Sequence, residues 1–204
     1  MTFFQLSFVD SLIGILISIV LFIGGYQFYF WAQRSTFVKP RKILTFIDSW
    51  FGYHPSWVWI YSFLYYIFII LIVLTIKDMR HFTYVVFSYL MLFGMHMPFF
   101  LFFPIEVPKE WRLNIKNKNS SEKFLKFIHK YDAPTNCFPS MHISIATLTS
   151  LHIIMNVPQL KLLAVAFLVL ISLSTMYTKQ HYFLDIAPGA LFGWIAFKLF
   201  QLIY

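Results

Sequence analysis

Six stretches of this chain are almost free of charged side chains, and each is long enough to cross a lipid bilayer. A helical crossing needs about 20 predominantly apolar residues. A charge near the bilayer centre costs at least about 2.5 kcal/mol, so Asp, Glu, Lys and Arg tend to mark where membrane segments end. The pattern predicts transmembrane helices at about residues 11–33, 56–76, 82–105, 139–157, 160–178 and 185–203. We therefore expect an all-α integral membrane protein with six spans.

The composition excludes a soluble globular domain. Of the 204 residues, 59% are hydrophobic and only 12% are charged, whereas a soluble domain has about 25% charged residues. Six crossings and one polar loop account for the length, so residues 1–204 are expected to form a single membrane-embedded domain. The single cysteine, Cys137, excludes a disulfide framework and a four-thiolate zinc site. The first apolar stretch is too long for a cleaved signal peptide, and we expect it to stay in the membrane.

Two loops hold most of the positive charge. Residues 41–54 carry apolar side chains at three- and four-residue spacing, which predicts an amphipathic helix in the membrane interface. The polar loop at residues 106–131, between the third and fourth spans, has a net charge of +4. The loop after the first span has four Lys and Arg residues at positions 34–42, and the polar loop has seven. Together they contain eleven of the sixteen Lys and Arg residues. Six spans would place both loops on one side of the membrane.

This charge excess allows two interpretations of sidedness. The positive-inside tendency puts the crowded face in the cytoplasm. Cations that bind a phosphate would produce the same excess for a functional reason. In that case the charge excess would not indicate which side is cytoplasmic.

Polar residues at membrane depth are functional candidates, and two groups of them lie on the crowded side. The first is the segment 138–142, Phe-Pro-Ser-Met-His, where the fourth span begins. The second runs from the end of the fifth span into the sixth, and it contains Ser174, Thr175, Lys179, His181 and Asp185. Two further histidines, His96 and His152, lie inside spans and are expected to hydrogen-bond helices together rather than to catalyse.

His181 and Asp185 are four residues apart, so on a helix they would share one face. The carboxylate can then accept the imidazole N–H and leave the other ring nitrogen free as a nucleophile or base. With His142 on a neighbouring helix as a proton donor and with cations nearby, this arrangement is suited to phosphoryl transfer through a phosphohistidine. A structural ion pair and a metal site are the competing interpretations, and the surrounding cations disfavour a divalent ion.

The same residues resemble signature motifs of the type 2 phosphatidic acid phosphatase superfamily. Residues 139–142 (Pro-Ser-Met-His) and 174–185 (Ser-Thr-Met-Tyr-Thr-Lys-Gln-His-Tyr-Phe-Leu-Asp) are similar to its second and third motifs in order, spacing and placement. The resemblance covers about residues 103–189, and it implies a six-helix fold that works without a metal ion or another cofactor. It also implies that His181 attacks phosphorus with Asp185 as its partner, that His142 is the general acid, and that Ser140 donates to the phosphoryl oxygens.

Some positions depart from the family pattern. Met141 stands where the family usually has Gly, and Thr175 stands where it usually has Arg directly after the Ser of the third motif. Lys179 is placed to supply the missing positive charge, and Ser174 and Thr175 are kept as candidate phosphate contacts.

The first family motif is degenerate in this chain. Phe102 occupies the expected position of its upstream Lys. Lys109 and Arg112 are the candidate residues for clamping the phosphate from the polar loop.

The sequence therefore predicts a membrane lipid phosphatase that hydrolyses a lipid phosphate or pyrophosphate. The motif variants resemble the branch that includes inositol phosphorylceramide synthases and related bacterial proteins. A lipid phosphotransferase, which moves a phosphorylated head group to an alcohol, is the first alternative, and a non-catalytic membrane protein with this fold is the second. We expect a lipid phosphate and the bilayer as partners, and no nucleic acid. By the same resemblance, we expect a bacterial inner membrane with the site on its extracytoplasmic side.

Overall fold

The computed structural model describes residues 6–113 and 118–204, and within these ranges the regular structure is helical apart from one isolated backbone bridge. Residues 114–117, which belong to the predicted polar loop, lie outside the described residues. The α-helices are numbered in chain order: α1 (Phe8–Arg34), α2 (Tyr65–Val73), α3 (Met79–Phe102), α4 (Lys109–Leu113), α5 (Ser120–Tyr131), α6 (Met141–Asn156), α7 (Lys161–Tyr177) and α8 (Ile186–Ile203).

Among the described residues, five helical segments are long and apolar enough to cross a membrane: Phe8–Arg34, Pro55–Val73, Met79–Phe102, Pro158–Tyr177 and Phe183–Ile203. They correspond to five of the predicted spans and confirm an integral membrane protein. The remaining one, predicted at 139–157, corresponds to α6, which has 16 residues. At about 1.5 Å per residue it is shorter than a hydrocarbon core of about 30 Å. A sixth crossing therefore stays a prediction.

Helix α6 lies at the centre of the bundle, packed between α7 and α8 and also against α3. It begins after Ser140, whose hydroxyl accepts from the Ile143 N–H, and it ends just before Pro158. Its small polar side chains are buried and hydrogen-bonded. One of them, Ser150, donates to the Ala164 carbonyl of α7 at 2.8 Å. Because these hydroxyls find partners on helices, a partly polar helix can occupy an apolar bundle.

Two glycines allow α8 to approach α6 closely. A Cβ on Gly189 would lie 2.8 Å from the Ser140 carbonyl oxygen, and one on Gly193 would collide with the Ser144 carbonyl. Small residues four apart are a common basis for tight helix packing in membranes. The contact fixes the start of α8 against the start of α6, where the two sequence motifs meet.

The two histidines expected to join helices do so. His96 Nε2 on α3 lies 3.0 Å from Ser144 Oγ on α6, and the same hydroxyl oxygen lies 2.8 Å from the Gly189 carbonyl oxygen on α8. His152 Nε2 on α6 lies 3.1 Å from Ser88 Oγ on α3. This prediction is confirmed.

The predicted amphipathic helix over 41–54 is wrong in extent. Only Phe46–Trp50 is helical, as a 3₁₀ turn. Two sets of hydrogen bonds, one to a distant segment and one local, explain this. Arg41 exchanges hydrogen bonds with the segment 104–106, and Asp48 accepts from the Thr45 backbone N–H at 2.7 Å. Phe46 and Trp50 are nevertheless highly exposed, which suits a segment at the interface.

The C-terminal half of the polar loop forms α5, which packs against the start of the second span. Leu125 is fully buried, and Trp59 Nε1 donates to Ser121 Oγ at 2.9 Å. The Lys residues at positions 123, 126 and 130 are exposed. α5 therefore has one face on the bundle and a basic face turned outward.

Candidate active site

His181 lies in the turn that links α7 to α8. After Tyr177 the chain leaves the helix, and Lys179 adopts a left-handed conformation with φ of 59°. The backbone N–H groups of Gln180 and His181 then donate to the Thr175 carbonyl at 3.0 and 3.4 Å. His181 and Asp185 are therefore not on one α-helix, as their spacing suggested, but the turn brings them together all the same.

The tautomer of the neutral His181 ring follows from its contacts. Its Nδ1 atom lies 2.9 Å from the Cys137 carbonyl oxygen and 3.2 Å from Asp185 Oδ2. Both neighbours are acceptors, so in the neutral ring Nδ1 carries the proton and Nε2 has the free lone pair. The ring is 6% exposed. The arrangement is therefore a fixed tautomer with an unprotonated nitrogen, as a nucleophile requires.

Asp185 is fully buried at the end of the 3₁₀ turn Phe183–Asp185. Its Oδ2 atom also accepts from the Tyr182 N–H at 2.9 Å, while Oδ1 is buried without a hydrogen-bond partner among the described residues. Its own carbonyl oxygen lies 3.5 Å from the Ser140 nitrogen. The Asp185 carboxylate thus orients His181 and closes the turn, and the backbone carbonyl of Asp185 meets the start of the other motif.

His142 lies in the first turn of α6 and faces His181. Their ring centroids are 5.7 Å apart, close enough for one small group to contact both rings. The ring of His142 is stacked on the Tyr61 ring, with their centroids 4.4 Å apart, and it packs against the Tyr65 ring at a centroid distance of 5.0 Å. The Tyr61 hydroxyl lies 3.5 Å from His142 Nδ1, at the outer limit of a hydrogen bond. Two aromatic rings therefore hold the second histidine in place.

Among the predicted hydroxyl ligands, Ser174 and Thr175 have their protons engaged within their own helix. Ser174 donates to the Ile171 carbonyl at 2.7 Å, and Thr175 donates to the Ser172 carbonyl at 2.7 Å. Ser140 is buried as the N-cap of α6. The first N–H groups of a helix have no partner inside it and favour an anion. The Ser140 end of α6 is thus an electropositive side of the site.

The predicted cations differ in position. Arg112 donates to the carbonyls of Asp132 at 2.6 Å and Ala133 at 3.3 Å, and to Gln180 Oε1 at 2.9 Å, which fixes its guanidinium beside the His181 turn. Lys109 is exposed.

Lys179 points toward the first loop, which is the segment at residues 35–54 between α1 and the second span. Its ammonium donates to the Asp48 carbonyl at 2.9 Å and lies 4.6 Å from the centre of the Trp111 ring. Partial burial lowers the pKa of Lys179, and the Asp48 carboxylate opposes that shift. Its charge faces loop residues, not the histidine pair.

Sequence reasoning missed two groups that build the site. Asp48 is 2% exposed, and its Oδ1 atom accepts from the Phe183 N–H at 2.7 Å, which ties the first loop to the turn before Asp185. It is the only acidic residue of residues 34–55, a signal that sequence alone offered. The second is the backbone carbonyl of Cys137, which no residue-type pattern reveals.

An apolar cavity of about 820 Å³ opens beside His142. It is lined by α1, α2, α3, α5 and the start of α6, and its lining is predominantly apolar. His142 and Asp132 are polar members of that lining, whereas His181 is not part of it. Within the described part of the chain, no group of three His, Cys, Asp or Glu side chains is placed to hold a metal ion.

The fold and the site together define an integral membrane protein with a buried two-histidine centre beside an apolar cavity. The chain belongs to the PAP2 superfamily, whose family model matches residues 32–199. Members of that superfamily are typically phosphatases or phosphotransferases that act on lipids.

One curated relative is the inositol phosphorylceramide synthase catalytic subunit of Saccharomyces cerevisiae, which is 36% identical over 61 residues. The matched segment is 30% of this chain and 15% of the yeast protein, so only a small part of that protein is shared. No solved structure matches the chain.

Proposed function

We propose that this protein hydrolyses a lipid phosphate or pyrophosphate through a phosphohistidine on His181. The observation that carries the proposal is the orientation of that ring. Its Nδ1–H is directed at two acceptors, the Cys137 carbonyl and Asp185, while a second histidine faces it at 5.7 Å. A histidine held in this way presents an unprotonated Nε2 to phosphorus and stabilises the charge it gains on attack.

The reaction has two steps. His181 Nε2 attacks phosphorus, the bond from phosphorus to the lipid oxygen breaks, and His142 protonates that oxygen as the lipid alcohol leaves. Water then attacks the phosphohistidine, His142 takes the proton from the water, and the P–N bond breaks to release phosphate. Both steps pass through one position between the two rings, so one acid–base residue serves twice.

Charge on the transferring group is stabilised from the side of α6 and the loop. The N-terminus of α6 at Ser140 supplies N–H groups. Arg112 adds positive potential from its fixed place beside the turn, and Lys179 and Lys109 add to the field at greater reach. Ser174 and Thr175 contact a phosphate only if their hydroxyls rotate away from their own helix.

The second candidate is a lipid phosphotransferase. The segment shared with the yeast synthase favours it, and the two steps stay the same when an alcohol replaces water in the second step. A protein that keeps the fold without catalysis is the third candidate. For all three we propose a lipid partner and a site on the extracytoplasmic side of a bacterial inner membrane, where the basic loops would lie.

Phosphate release from a panel of lipid phosphates and pyrophosphates by detergent-purified protein, with and without chelator, tests the proposal. We expect release that a chelator leaves unchanged and that His181→Ala abolishes. His54→Gln, a change of an exposed histidine outside the pair, is the matched control. A phosphorylated alcohol as the product would indicate the transferase. Full activity of His181→Ala would exclude the mechanism, and inactivity on every lipid and acceptor would favour the non-catalytic protein.

A further inference from the structure

The carboxylate of Asp132 lies in the wall of the apolar cavity, an unusual place for an acid that the proposed reaction does not use. It follows α5 directly and is only partly buried. The cavity lining is otherwise dominated by Phe, Tyr, Leu, Ile and Val side chains. A carboxylate in such surroundings is costly unless it is hydrogen-bonded.

The chain satisfies only part of this carboxylate. Oδ1 accepts from Gln33 Nε2 at 2.6 Å and, weakly, from the Tyr29 hydroxyl at 3.4 Å. Gln33 is itself held in place, because its Oε1 atom accepts from the Ala133 N–H at 3.2 Å. A carboxylate has about four acceptor sites on its two oxygens. Acceptor capacity is therefore left on a carboxylate that belongs to the cavity lining.

The same cavity reaches the proposed proton donor and not the nucleophile. His142 lines it and His181 does not. In an in-line displacement the nucleophile and the leaving oxygen lie on opposite sides of phosphorus. A group that occupies the cavity is thus on the leaving-oxygen side, next to Asp132.

We infer that the cavity holds the hydrocarbon chain of the lipid that leaves as an alcohol, and that Asp132 binds a hydroxyl or amide N–H which that lipid carries close to its scissile oxygen. The inference rests on the proposed function for the meaning of "leaving", but the binding site itself does not. It assigns the substrate to lipids with a free donor beside the phosphate, and it disfavours polyprenyl and fully esterified lipid phosphates. A volume of about 820 Å³ lies within the range of sites that enclose a small ligand or a chain.

A matched pair of substrates tests the donor. Oleoyl lysophosphatidic acid has one free hydroxyl, and its deoxy analogue differs only in lacking it. We expect the wild-type protein to favour the hydroxylated lipid by about tenfold or more in kcat/KM, because the bond to a carboxylate is charge-assisted. Asp132→Asn should lower kcat/KM for the hydroxylated lipid alone and bring the ratio to about threefold or below. Equal rates on both lipids in the wild type, or an equal loss on both in the variant, would overturn the role of Asp132.

Two glycines test where the chain lies. Gly25 on α1 lines the cavity, and a Cβ on it would meet nothing within 4 Å, so we expect a larger side chain there to take up cavity space. Gly94 on α3 has equally open space but is not part of the cavity. Gly25→Leu should raise KM for the oleoyl lipid by about tenfold and leave KM for a butyryl analogue unchanged. Gly94→Leu, the control, should leave KM for both lipids unchanged. No dependence on chain length would overturn the chain site.

A readout without turnover separates this inference from the proposed reaction. A lysophosphatidic acid with a photoreactive diazirine in its chain should label peptides of α1 and α2, and Gly25→Leu should prevent that labelling. Competition by the hydroxylated lipid should exceed competition by the deoxy analogue. Labelling and competition of this kind without phosphate release would support the lipid site and refute the catalysis. Phosphate release without labelling of α1 or α2 would support the catalysis and refute the lipid site.

Discussion

The Nδ1 atom of His181 lies closer to the backbone carbonyl oxygen of Cys137, at 2.9 Å, than to the Asp185 carboxylate, at 3.2 Å. A backbone carbonyl cannot be removed by a side-chain substitution and cannot change its protonation state. The tautomer of His181 is therefore fixed twice, once by a carbonyl and once by a charge. The two contributions of Asp185 can therefore be separated. It shares the orientation of the His181 ring with the Cys137 carbonyl, whereas the electrostatic stabilisation of that ring comes from Asp185 alone.

The first prediction concerns Asp185→Asn. It should slow formation of the phosphohistidine by about 10²-fold, less than the roughly 10⁴-fold loss seen where such a change also disturbs the tautomer. The reason is that the Cys137 carbonyl still holds Nδ1–H. Rapid-quench trapping of the labelled enzyme measures the step. A variant as inactive as His181→Ala would mean that Cys137 does not maintain the ring.

The second prediction separates the two histidines by the leaving group. For a lipid phosphate, His142→Ala should slow the release of the alcohol by about 10²- to 10⁴-fold, as expected for loss of a general acid. For p-nitrophenyl phosphate, whose leaving group needs no proton, the single-turnover burst should change by less than about tenfold. His181→Ala should abolish both. Equal losses of His142→Ala on the two substrates would assign His142 a structural role.

The residues that sequence could predict are those whose signal is local. Runs without charge located five apolar helices within a few residues, because the penalty for a charge in lipid acts on each segment separately. The positions of His142 and His181 followed from short motifs. The helical pairing expected for His181 and Asp185 was wrong in conformation but right in contact, since a tight turn brings the two side chains together as well as a helix would.

The remainder depended on contacts between distant parts of the chain. Asp48 reaches Phe183 across 135 positions, and Gln33 reaches Asp132 across 99. The helix expected over 41–54 did not form because Arg41 pairs with 104–106, a competition that periodicity cannot register. Backbone acceptors such as the Cys137 carbonyl carry no residue-type signal at all.

The third prediction tests Asp48 as the anchor of the His181 turn. Asp48→Ala leaves the Thr45 and Phe183 N–H groups without their acceptor, which should cost about 1–3 kcal/mol for each donor that stays buried. Hydrogen exchange at residues 181–186 should accelerate and phosphate release should fall. Asp78→Ala is the matched control, because Asp78 accepts from the His81 N–H as the N-cap of α3. It should destabilise the protein by about 1 kcal/mol without altering exchange at 181–186, and an identical pattern in both variants would remove the special role of Asp48.

The fourth prediction concerns the contact between α6 and α8. Gly193→Ala places a methyl group against the Ser144 carbonyl and Thr147 Cβ, and overpacking of this kind costs about 1–3 kcal/mol. Unfolding in detergent should show the loss. Gly94→Ala, where a Cβ meets nothing within 4 Å, should be neutral or stabilising by up to about 1 kcal/mol. If Gly193→Ala were as stable as wild type, α8 would not approach α6 as closely as described.

The last prediction is a pH dependence set by Asp132. Burial raises the pKa of this carboxyl above its usual value, and the nearby Arg112 and the Gln33 hydrogen bond only partly offset that effect. The folded state then holds this proton more tightly than the unfolded state does, so the contribution of Asp132 to stability is full below its ordinary pKa and is lost as pH rises through its pKa in the folded protein. Asp132→Asn does not titrate and keeps an oxygen for Gln33. The variant should unfold at a higher temperature than wild type at pH 7.5, and the difference should shrink on acidification toward pH 4. A difference in unfolding temperature that is constant with pH, or one that grows in acid, would show that the ionised Asp132 carboxylate does not destabilise the folded protein. In the proposed complex, the lipid donor would give this carboxylate a partner.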